Sequence, residues 1–215
     1  MSLPETHPRA HRAPEPVAHF ADVMASFPAT WALCGGWAID AWLNRTTREH
    51  GDVDISVFAT DQQALFEHLR GWQLLPHGPS VGEDNADPWD GARLEPPAHI
   101  HARPDTGEAL PSDGIAKMEQ GFIVEFQIDD RSGDDWILSR EPRITFPVRD
   151  AIQESAWGVP VVAPEVLLFF KSRDLRRRDK LDFARALPLL SAQQRGWLSN
   201  AIALLGHPWQ AELSR

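Results

Sequence analysis

The pattern of apolar residues first takes a helical form near the N-terminus. From Val17 to Phe27, apolar side chains recur every three or four residues, and Pro28 ends the run. This spacing predicts a helix with one buried face. The same spacing returns near the C-terminus and predicts three more helices, over residues 166–175, 180–190 and 193–205. We expect these three helices to form a C-terminal helical domain.

A short strand and a glycine pair follow the first helix. Residues 31–36 are apolar and end in Gly35 and Gly36, which predicts a buried strand that runs into a tight turn. A brief helix is expected over residues 37–43, and a more exposed helix over residues 61–70. This part of the chain therefore predicts a strand, a turn and a helix in close succession.

Two further segments alternate polar and apolar side chains, as half-buried strands do. In residues 52–58 the alternation places Asp52 and Asp54 on one face and apolar residues on the other. In residues 121–128 it places Glu125 in the middle of a strand, between apolar neighbours. Both segments predict strands that present acidic side chains on one face.

Two regions lack such periodicity. The first sixteen residues contain four prolines and almost no large apolar side chain, so we expect a disordered tail over residues 1–16. Residues 76–115 contain seven prolines and five glycines in forty positions. They predict a long, loop-rich region of the kind that often recognises ligands. The predicted division is a tail, an α/β domain over residues 17–150 and a helical domain over residues 151–215.

Composition excludes several classes of protein. Of the 215 residues, 31 are Asp or Glu and 21 are Lys or Arg, which gives a formal net charge of -10. Such a chain cannot neutralise many nucleic-acid phosphates, so genomic DNA is excluded as a partner. We find no apolar run of membrane-span length, no signal-peptide pattern and no second cysteine to pair with Cys34. We therefore expect no membrane partner and a reducing, cytoplasmic location.

Asp52 and Asp54 are the first candidates for chemistry. Two carboxylates on one strand face repel each other and raise each other's pKa unless a cation lies between them. Hard oxygen ligands of this kind select Mg²⁺, with Mn²⁺ as the alternative, and leave positions for water and substrate phosphates. A third acid on a neighbouring strand would allow two ions about 3.5–4 Å apart. Glu125 is the best candidate for this third acid, and also for a general base.

The third acid has alternatives. Asp105, Asp129 and Asp130 could each supply the carboxylate in place of Glu125. The register of the second strand decides among them, because it determines which side chain lies beside the first two acids.

The glycine pair offers a site for phosphate. Gly35 and Gly36 precede a predicted helix, so their N–H groups, unobstructed by any Cβ, and the positive end of the helix dipole can meet a triphosphate. Arg48 could add a cation to this phosphate site, or it could pair with Asp40 or Glu49 instead.

Three other features have both a functional and an ordinary interpretation. Lys171 follows an apolar helical face and could reach a phosphate in an interdomain cleft, or it could be a surface lysine. The basic run over residues 171–180 is most simply a solvated helix face. His99 and His101 could ligate a transition metal, but no Cys or further His accompanies them at ligand spacing. We therefore expect them to be loop histidines.

A longer motif surrounds the glycine pair and the first two acids. Residues 35–55, GGWAIDAWLNRTTREHGDVDI, resemble the signature of the aminoglycoside 2″-O-nucleotidyltransferase-like branch of the DNA polymerase beta-type nucleotidyltransferase superfamily. A weaker similarity continues through FIVEFQID, residues 122–129, and GVPVVAPEVLLFFK, residues 158–171. It extends to Asp179 and Asp182.

The resemblance implies a fold and a set of roles. The implied fold is the α/β (α+β) nucleotidyltransferase fold, with a small mixed sheet flanked by helices and a C-terminal helical domain. Gly35 and Gly36 would hold the nucleotide phosphates, and Asp52 and Asp54 would carry Mg²⁺, with two ions expected. The chain departs from the family pattern at Asn44, where glycine is usual, and at its third acid, where Asp is commoner than Glu.

The implied reaction moves a nucleoside monophosphate, with AMP from ATP expected, to a hydroxyl of a small molecule and releases pyrophosphate. The acceptor could be an aminoglycoside-like aminosugar, because acidic residues of the loop-rich region would attract a cation. These residues are Glu83, Asp84, Asp87, Asp90 and Glu95. Two alternatives stay open: transfer to a protein or RNA hydroxyl, as in nucleotidyltransferase toxins, and a catalytically idle nucleotide-binding module.

Overall fold

The computed structural model describes residues 13–82, 85, 87–105, 124–174 and 176–213. The expected tail lies outside the described residues as far as residue 12, and a helix begins at Glu15.

In chain order the helices are α1 (Glu15–Met24), α2 (Gly35–Trp42), α3 (Gln62–His68), α4 (Val148–Ala151), α5 (Pro164–Lys171), α6 (Arg177–Ala186), α7 (Ala192–Ala203) and α8 (Gln210–Leu213), with 3-10 turns at Ala59–Asp61 and Leu187–Leu189. The strands are β1 (Trp31–Leu33), β2 (Val53–Phe58), β3 (Trp72–His77), β4 (Ala98–Pro104), β5 (Val124–Ser132), β6 (Asp135–Ile137), β7 (Thr145–Pro147), β8 (Ile152–Glu154) and β9 (Pro160–Val162).

The strands form one mixed sheet. Among the described residues its order is β3-β4-β5-β2-β1-β9-β8, and β6 and β7 extend from β5 outside this path. Strand β2 runs parallel to β5, and β1 runs parallel to β9, whereas the other neighbours are antiparallel. The predicted α/β class, with a mixed sheet and flanking helices, is confirmed.

The two central strands show the predicted alternation. Val53, Ile55 and Val57 on β2 are fully buried, and so are Val124 and Phe126 on β5. Burying one such side chain stabilises the fold by about 1.5–3 kcal/mol. A register slip of one residue would turn these side chains to the other face. The apolar pattern thus determines which polar side chains share the opposite face.

The glycine pair lies inside a helix and not in a turn ahead of one. Helix α2 begins at Gly35, whereas the sequence predicted a helix only after the pair. Gly35 has a φ of +63°, which residues with a side chain rarely adopt. This conformation lets the chain pass from β1 into α2 beside β2, where the N–H of Cys34 donates to the carbonyl of Asp54 at 2.8 Å. Trp37, which is 1% exposed, anchors α2 in the core.

The region 76–115 contains more regular structure than its prolines and glycines suggested. Strand β3 runs into it as far as His77, and β4 lies wholly within it. Strand β4 pairs with β3 on one side and with β5 on the other, antiparallel in both cases. The pairing with β5 joins segments distant in sequence, which a local pattern cannot reveal. Residues 106–123, including the start of the predicted second acidic strand, lie outside the described residues.

The C-terminal helices α5, α6 and α7 begin within three residues of the predicted positions. The sheet continues past residue 150, because β8 and β9 follow it and β9 pairs with β1 through Val161 and Leu33. The helical region therefore begins at Pro164 and not at residue 151. The division into domains otherwise stays a prediction. Within the part of the chain that the structure describes, no helix has both the length and the apolar character needed to span a membrane.

Candidate active site

Three carboxylates meet on the polar face of β2 and β5. Asp52 immediately precedes β2, Asp54 lies within it, and Glu125 is the partner of Asp54 on the parallel strand β5. One possible ligand oxygen from each of the three lies within 4.8 Å of the other two. Side chains at facing positions of neighbouring strands point to the same face, which explains the arrangement. We call these three residues the carboxylate cluster.

The carboxylate cluster carries an electrostatic cost. Burial raises the pKa of Asp54 well above its usual value, and the charges of Asp52 and Glu125 raise it further. Lys171 and Arg178 act in the opposite direction without cancelling the rise. A divalent cation among the three carboxylates would relieve this repulsion, and hard oxygen donors are what Mg²⁺ and Mn²⁺ require. The residues present therefore fit the expected metal.

Glu125 has the opposite pKa shift. Burial acts to raise its pKa, but the hydrogen bond from His101 and the charges of His99 and His101 outweigh burial and lower it. Gln127 donates a further hydrogen bond from Nε2 to Oε1 of Glu125 at 2.5 Å. Glu125 is therefore held in its ionised form, which is the form that binds a cation.

Two of the alternative third acids lie away from the carboxylate cluster. Asp130 accepts a hydrogen bond from the backbone N–H of Arg131. Asp105 is exposed and accepts a hydrogen bond from Nε2 of Gln73 at 2.8 Å. Among the described residues, neither belongs to a group of three potential metal ligands. The geometry thus favours Glu125, although its role stays a prediction.

Asp129, the remaining alternative, lies on the same face as Glu125. Asp129 and the carboxylate cluster line one cavity of about 760 Å³. The hydroxyl of Ser56 donates to Oδ2 of Asp129 at 2.6 Å. Burial raises the pKa of Asp129 to about 6, against the effect of the hydrogen bond from Ser56. Asp129 is not part of the carboxylate cluster, but a carboxyl group with a pKa near neutrality is suited to proton transfer.

Both glycines are required by close packing at the site. A Cβ on Gly35 would lie 1.8 Å from Oδ2 of Asp54. A Cβ on Gly36 would lie 2.2 Å from Nη2 of Arg48 and 2.5 Å from Nδ1 of His50. Both glycines also line the cavity. Glycine therefore lets the start of α2 approach the carboxylate cluster on one side and the loop before β2 on the other.

The loop before β2 is held by a buried pair. Nε2 of His50 lies 2.7 Å from Oδ2 of Asp40, and both residues are buried. The ring of His50 stacks on Trp37 with the centroids 4.1 Å apart. The N–H of Thr47 donates to the same Oδ2 of Asp40 at 2.9 Å. These contacts position the loop that carries Arg48. Asp40, which the sequence offered as a partner for Arg48, pairs with His50.

Basic side chains line the same cavity, whose volume is about 760 Å³. We call them the basic rim, and its members are Arg48, Lys171, Arg173, Arg176 and Arg178. The structure thus places Arg48 and Lys171, both predicted to contact phosphate, at the cavity. Because Lys171 and Arg178 lower the pKa of Asp54, their positive charge acts directly on the carboxylate cluster.

Two buried acids of α6 hold three members of the basic rim in place. Oδ2 of Asp182 lies 2.9 Å from Nζ of Lys171 and 3.3 Å from Nη2 of Arg48. Asp179 accepts a hydrogen bond from Nε of Arg176 at 2.7 Å and lies 3.5 Å from Nζ of Lys171. Both acids are at most 1% exposed. A buried charge without a partner is costly, so these pairs determine where the cations lie.

The sequence pattern assigned Arg173, Arg176 and Arg178 to a solvated helix face; all three are exposed, but they also line the cavity, which the pattern did not indicate. A run of basic residues does not reveal which of its members line a cavity when the start of the helix is uncertain. The available signal was the pair of acids within and after the run, Asp179 and Asp182, because acids on a helix face that becomes buried require cations nearby.

Comparison with known proteins agrees with this arrangement. A family model described as aminoglycoside-2″-adenylyltransferase matches residues 17–74, which include the glycine pair, Asp52 and Asp54. No curated protein sequence matches the chain. The resemblance to the aminoglycoside 2″-O-nucleotidyltransferase-like branch is confirmed.

Solved structures extend the likeness beyond residue 74. The lincomycin-bound lincosamide antibiotic adenylyltransferase LnuA matches with a TM-score of 0.52 and 18% identity, over 80% of this chain and 95% of that one. ANT(2'')-Ia in complex with adenylyl-2″-tobramycin matches with a TM-score of 0.54 and 14% identity, over 87% of this chain and 96% of that one. A solution structure of the antibiotic-resistance factor ANT(2'')-Ia matches with a TM-score of 0.55 and 15% identity, over 88% of this chain and 89% of that one.

At these identities the solved structures establish a shared fold. The family match over residues 17–74 supports the prediction that the chain is a nucleotidyltransferase enzyme. The roles of the individual site residues are not established by a shared fold and stay predictions.

Proposed function

We propose that this protein is a metal-dependent nucleotidyltransferase that moves AMP from ATP to a hydroxyl group of a small antibiotic-like molecule. The observation that carries the proposal is the cavity, which is lined by both the carboxylate cluster and the basic rim. A nucleoside triphosphate requires cations for its phosphate oxygens and carboxylates for the metal that accompanies them. Both are present in one cavity large enough for a small ligand.

The carboxylate cluster is proposed to hold the metal. Asp52, Asp54 and Glu125 would bind Mg²⁺, with two ions expected and Mn²⁺ as the alternative. When bound, the metal neutralises phosphate charge and aligns the reacting oxygens. Gly35 contributes indirectly, because the absence of a Cβ leaves room for the carboxylate of Asp54.

The basic rim is proposed to bind the triphosphate. Lys171, Arg178 and their neighbours would donate charge-assisted hydrogen bonds to phosphate oxygens. During transfer the bond between the α-phosphorus and its bridging oxygen to the β-phosphate breaks, and pyrophosphate leaves with the electron pair. Cations beside that oxygen stabilise the charge that develops on it. The start of α2, at Gly35 and Gly36, provides a further phosphate-binding element.

The attacking hydroxyl loses its proton as its oxygen bonds to the α-phosphorus. Glu125 is the proposed acceptor of this proton, because it belongs to the carboxylate cluster and is held in its ionised form. Asp129 is the second candidate, because it lines the same cavity and its pKa is raised to about 6. The variants Glu125→Gln and Asp129→Asn separate the two roles by their effects on the pH dependence of turnover.

The proposed acceptor is a cationic aminosugar or a similar small antibiotic. The structural neighbours include one bound to lincomycin and one in complex with adenylyl-2″-tobramycin. In this chain Asp87, Asp90 and Glu95 are exposed in the segment between β3 and β4, where their charge would attract a cation. Two other acids of that segment, Glu83 and Asp84, lie outside the described residues.

The proposal is tested with ATP labelled at the α-phosphate, Mg²⁺ and a panel of cationic and neutral antibiotics that carry hydroxyl groups. We expect labelled AMP on a cationic acceptor, together with released pyrophosphate. Asp54→Asn should reduce transfer by about a thousandfold while the protein stays folded, since it removes a central metal ligand. Asp105→Asn, which changes an exposed acid outside the cluster, is the matched control and should be fully active.

Other outcomes would contradict the proposal in specific ways. If Asp54→Asn transfers AMP at the rate of the unaltered protein, the carboxylate cluster is not part of the mechanism. Label that appears on protein or RNA of a cell lysate, and on no small molecule, would favour the macromolecular acceptor. Tight binding of Mg-ATP without transfer to any acceptor would favour an idle nucleotide-binding module.

A further inference from the structure

Three histidines lie together at the edge of the sheet beside the carboxylate cluster. His99 and His101 are on β4 and not in a loop, and His77 on β3 is the strand partner of His99. The ring centroids of His77 and His101 are 4.5 Å apart, and those of His99 and His101 are 5.1 Å apart. The pairing of β3 with β4 thus places His77 beside the two histidines of β4.

Glu125 joins these histidines from the neighbouring strand. It is the antiparallel partner of His101, and its Oε2 lies 3.5 Å from Nε2 of His101. Possible ligand atoms of His99, His101 and Glu125 all lie within 4.8 Å of one another. Imidazole nitrogens and carboxylate oxygens bind Zn²⁺ at about 2.0–2.2 Å from the ion. Small side-chain rotations would let the three ligand atoms reach one ion at these distances.

We propose that His99, His101 and Glu125 form a second metal site, which binds a borderline transition-metal cation such as Zn²⁺. Two imidazoles and one carboxylate are a ligand set suited to Zn²⁺ and related ions, whereas an all-carboxylate set suits Mg²⁺. The two sites therefore differ in the metal that they select. His99 also lines the cavity, which gives an ion a route to the site from solvent.

Glu125 belongs to both ligand groups, and this sharing has a consequence. A Zn²⁺ ion held by the two histidines draws the carboxylate of Glu125 toward β4 and away from Asp52 and Asp54. Resting on the proposed function, this predicts that Zn²⁺ inhibits nucleotidyl transfer even when Mg²⁺ is saturating. The binding of Zn²⁺ itself does not depend on any activity.

The site is tested by titrating the metal-free protein with Zn²⁺ in excess Mg²⁺, using calorimetry, and with Co²⁺, using its visible absorption. We expect one high-affinity site. His99→Ala and His101→Ala should each weaken it by at least about tenfold, a loss that even outer-sphere partners can cause. His19→Ala, on α1, is the matched control and should bind as the unaltered protein does. Circular dichroism and thermal melting show whether each variant is folded.

Two further variants separate the sites. Asp54→Asn should reduce transfer by about a thousandfold but keep the Zn²⁺ affinity, because it leaves the histidine group intact. Glu125→Gln should weaken Zn²⁺ binding and transfer together. Zn²⁺ binding that survives both histidine variants, or that is lost in Asp54→Asn, would overturn the second site. An inactive protein that still binds Zn²⁺ through the histidines would contradict the proposed function and support this inference.

Discussion

The carboxylate cluster and the basic rim line one cavity, but the molecule builds them in different ways. The carboxylate cluster comes from two adjacent parallel strands, with Asp54 and Glu125 at partner positions. The basic rim comes from the loop before β2, from the end of α5, from the turn between α5 and α6 and from the start of α6, so its members span residues 48–178. Backbone hydrogen bonds between the strands position the carboxylate cluster, whereas side-chain ion pairs position the basic rim.

This difference indicates how each region responds to change. Strand register leaves the carboxylates little freedom, so burial and, after it, their mutual repulsion raise the pKa of Asp54. The cations have long side chains, and buried acids such as Asp182 hold some of them from behind. We therefore expect a substitution that displaces a carboxylate to affect catalysis strongly, and the loss of one cation to affect mainly nucleotide binding.

Among substitutions that displace a site residue without removing it, the largest expected effect comes from Gly35→Ala. The new Cβ would lie 1.8 Å from Oδ2 of Asp54, at a backbone φ of +63°. Displacing a reacting group by about 1 Å can cost a hundredfold in rate, and we expect at least about this loss of transfer. Strain at such a φ should also lower the free energy of unfolding by about 1–3 kcal/mol. Transfer assays and thermal melting measure the two effects.

Gly133→Ala is the matched control for this prediction. Gly133 has a φ of +59°, yet a Cβ there would meet no atom within 4 Å. This variant should carry only the conformational cost of about 1–2 kcal/mol and keep full activity. Equal losses of activity in the two variants would show that backbone strain, and not displacement of Asp54, is responsible.

A smaller effect is expected from Arg178→Gln. Arg178 lines the cavity and lowers the pKa of Asp54, so its loss should weaken the binding of the triphosphate. We expect KM for ATP to rise about tenfold with a smaller change in kcat, which steady-state kinetics at several ATP concentrations can measure. Its neighbour Arg177 is exposed and is not among the cavity-lining residues. Arg177→Gln should leave KM unchanged, and an equal rise in both variants would contradict the assignment of the basic rim.

The smallest effect concerns Asp129→Asn and is one of stability. The pKa of Asp129 is raised to about 6 in the folded protein, above its unfolded value of about 3.9. The folded state therefore binds the carboxyl proton of Asp129 more tightly than the unfolded state does. The free energy of unfolding falls as the pH rises from about 4 through 6, and it stays lower above pH 6. Asparagine removes the penalty but can still accept the hydrogen bond from Ser56. The variant should be more stable than the unaltered protein at pH 8, by on the order of 1 kcal/mol.

Thermal melting of both proteins at pH 4 and pH 8 checks this prediction. The stability difference should nearly vanish at pH 4, where Asp129 is protonated in the folded protein and asparagine resembles it. A difference that is independent of pH would show that Asp129 does not carry the raised pKa.

Much of the central fold could be predicted from the sequence. The alternation in β2 and β5 was sufficient because each strand buries one face, and Val53 and Phe126 are fully buried as that pattern requires. The edge of the sheet could not be predicted in this way. Strand β4 lies in a proline-rich region and depends on a partner distant in sequence, so His99 and His101 were expected in a loop.

The candidate site, too, could be predicted only in part from the sequence. The sequence pointed to Asp52, Asp54 and Glu125, and the structure brings all three together. It pointed to Arg48 and Lys171 with an ordinary alternative for each, and the structure shows elements of both interpretations. Lys171 lines the cavity and is also paired with Asp182.

The sequence by itself determined the glycine pair, the two central acidic strands and the likeness to antibiotic nucleotidyltransferases, because local periodicity and a continuous motif carry that information. Only the tertiary structure decided that Glu125 lies beside Asp54 and that two histidines of β4 lie close to Glu125. It also decided that Arg173, Arg176 and Arg178 line the cavity. The physical reason is that strand register and helix packing bring together side chains from distant segments. No local pattern records which of them will meet.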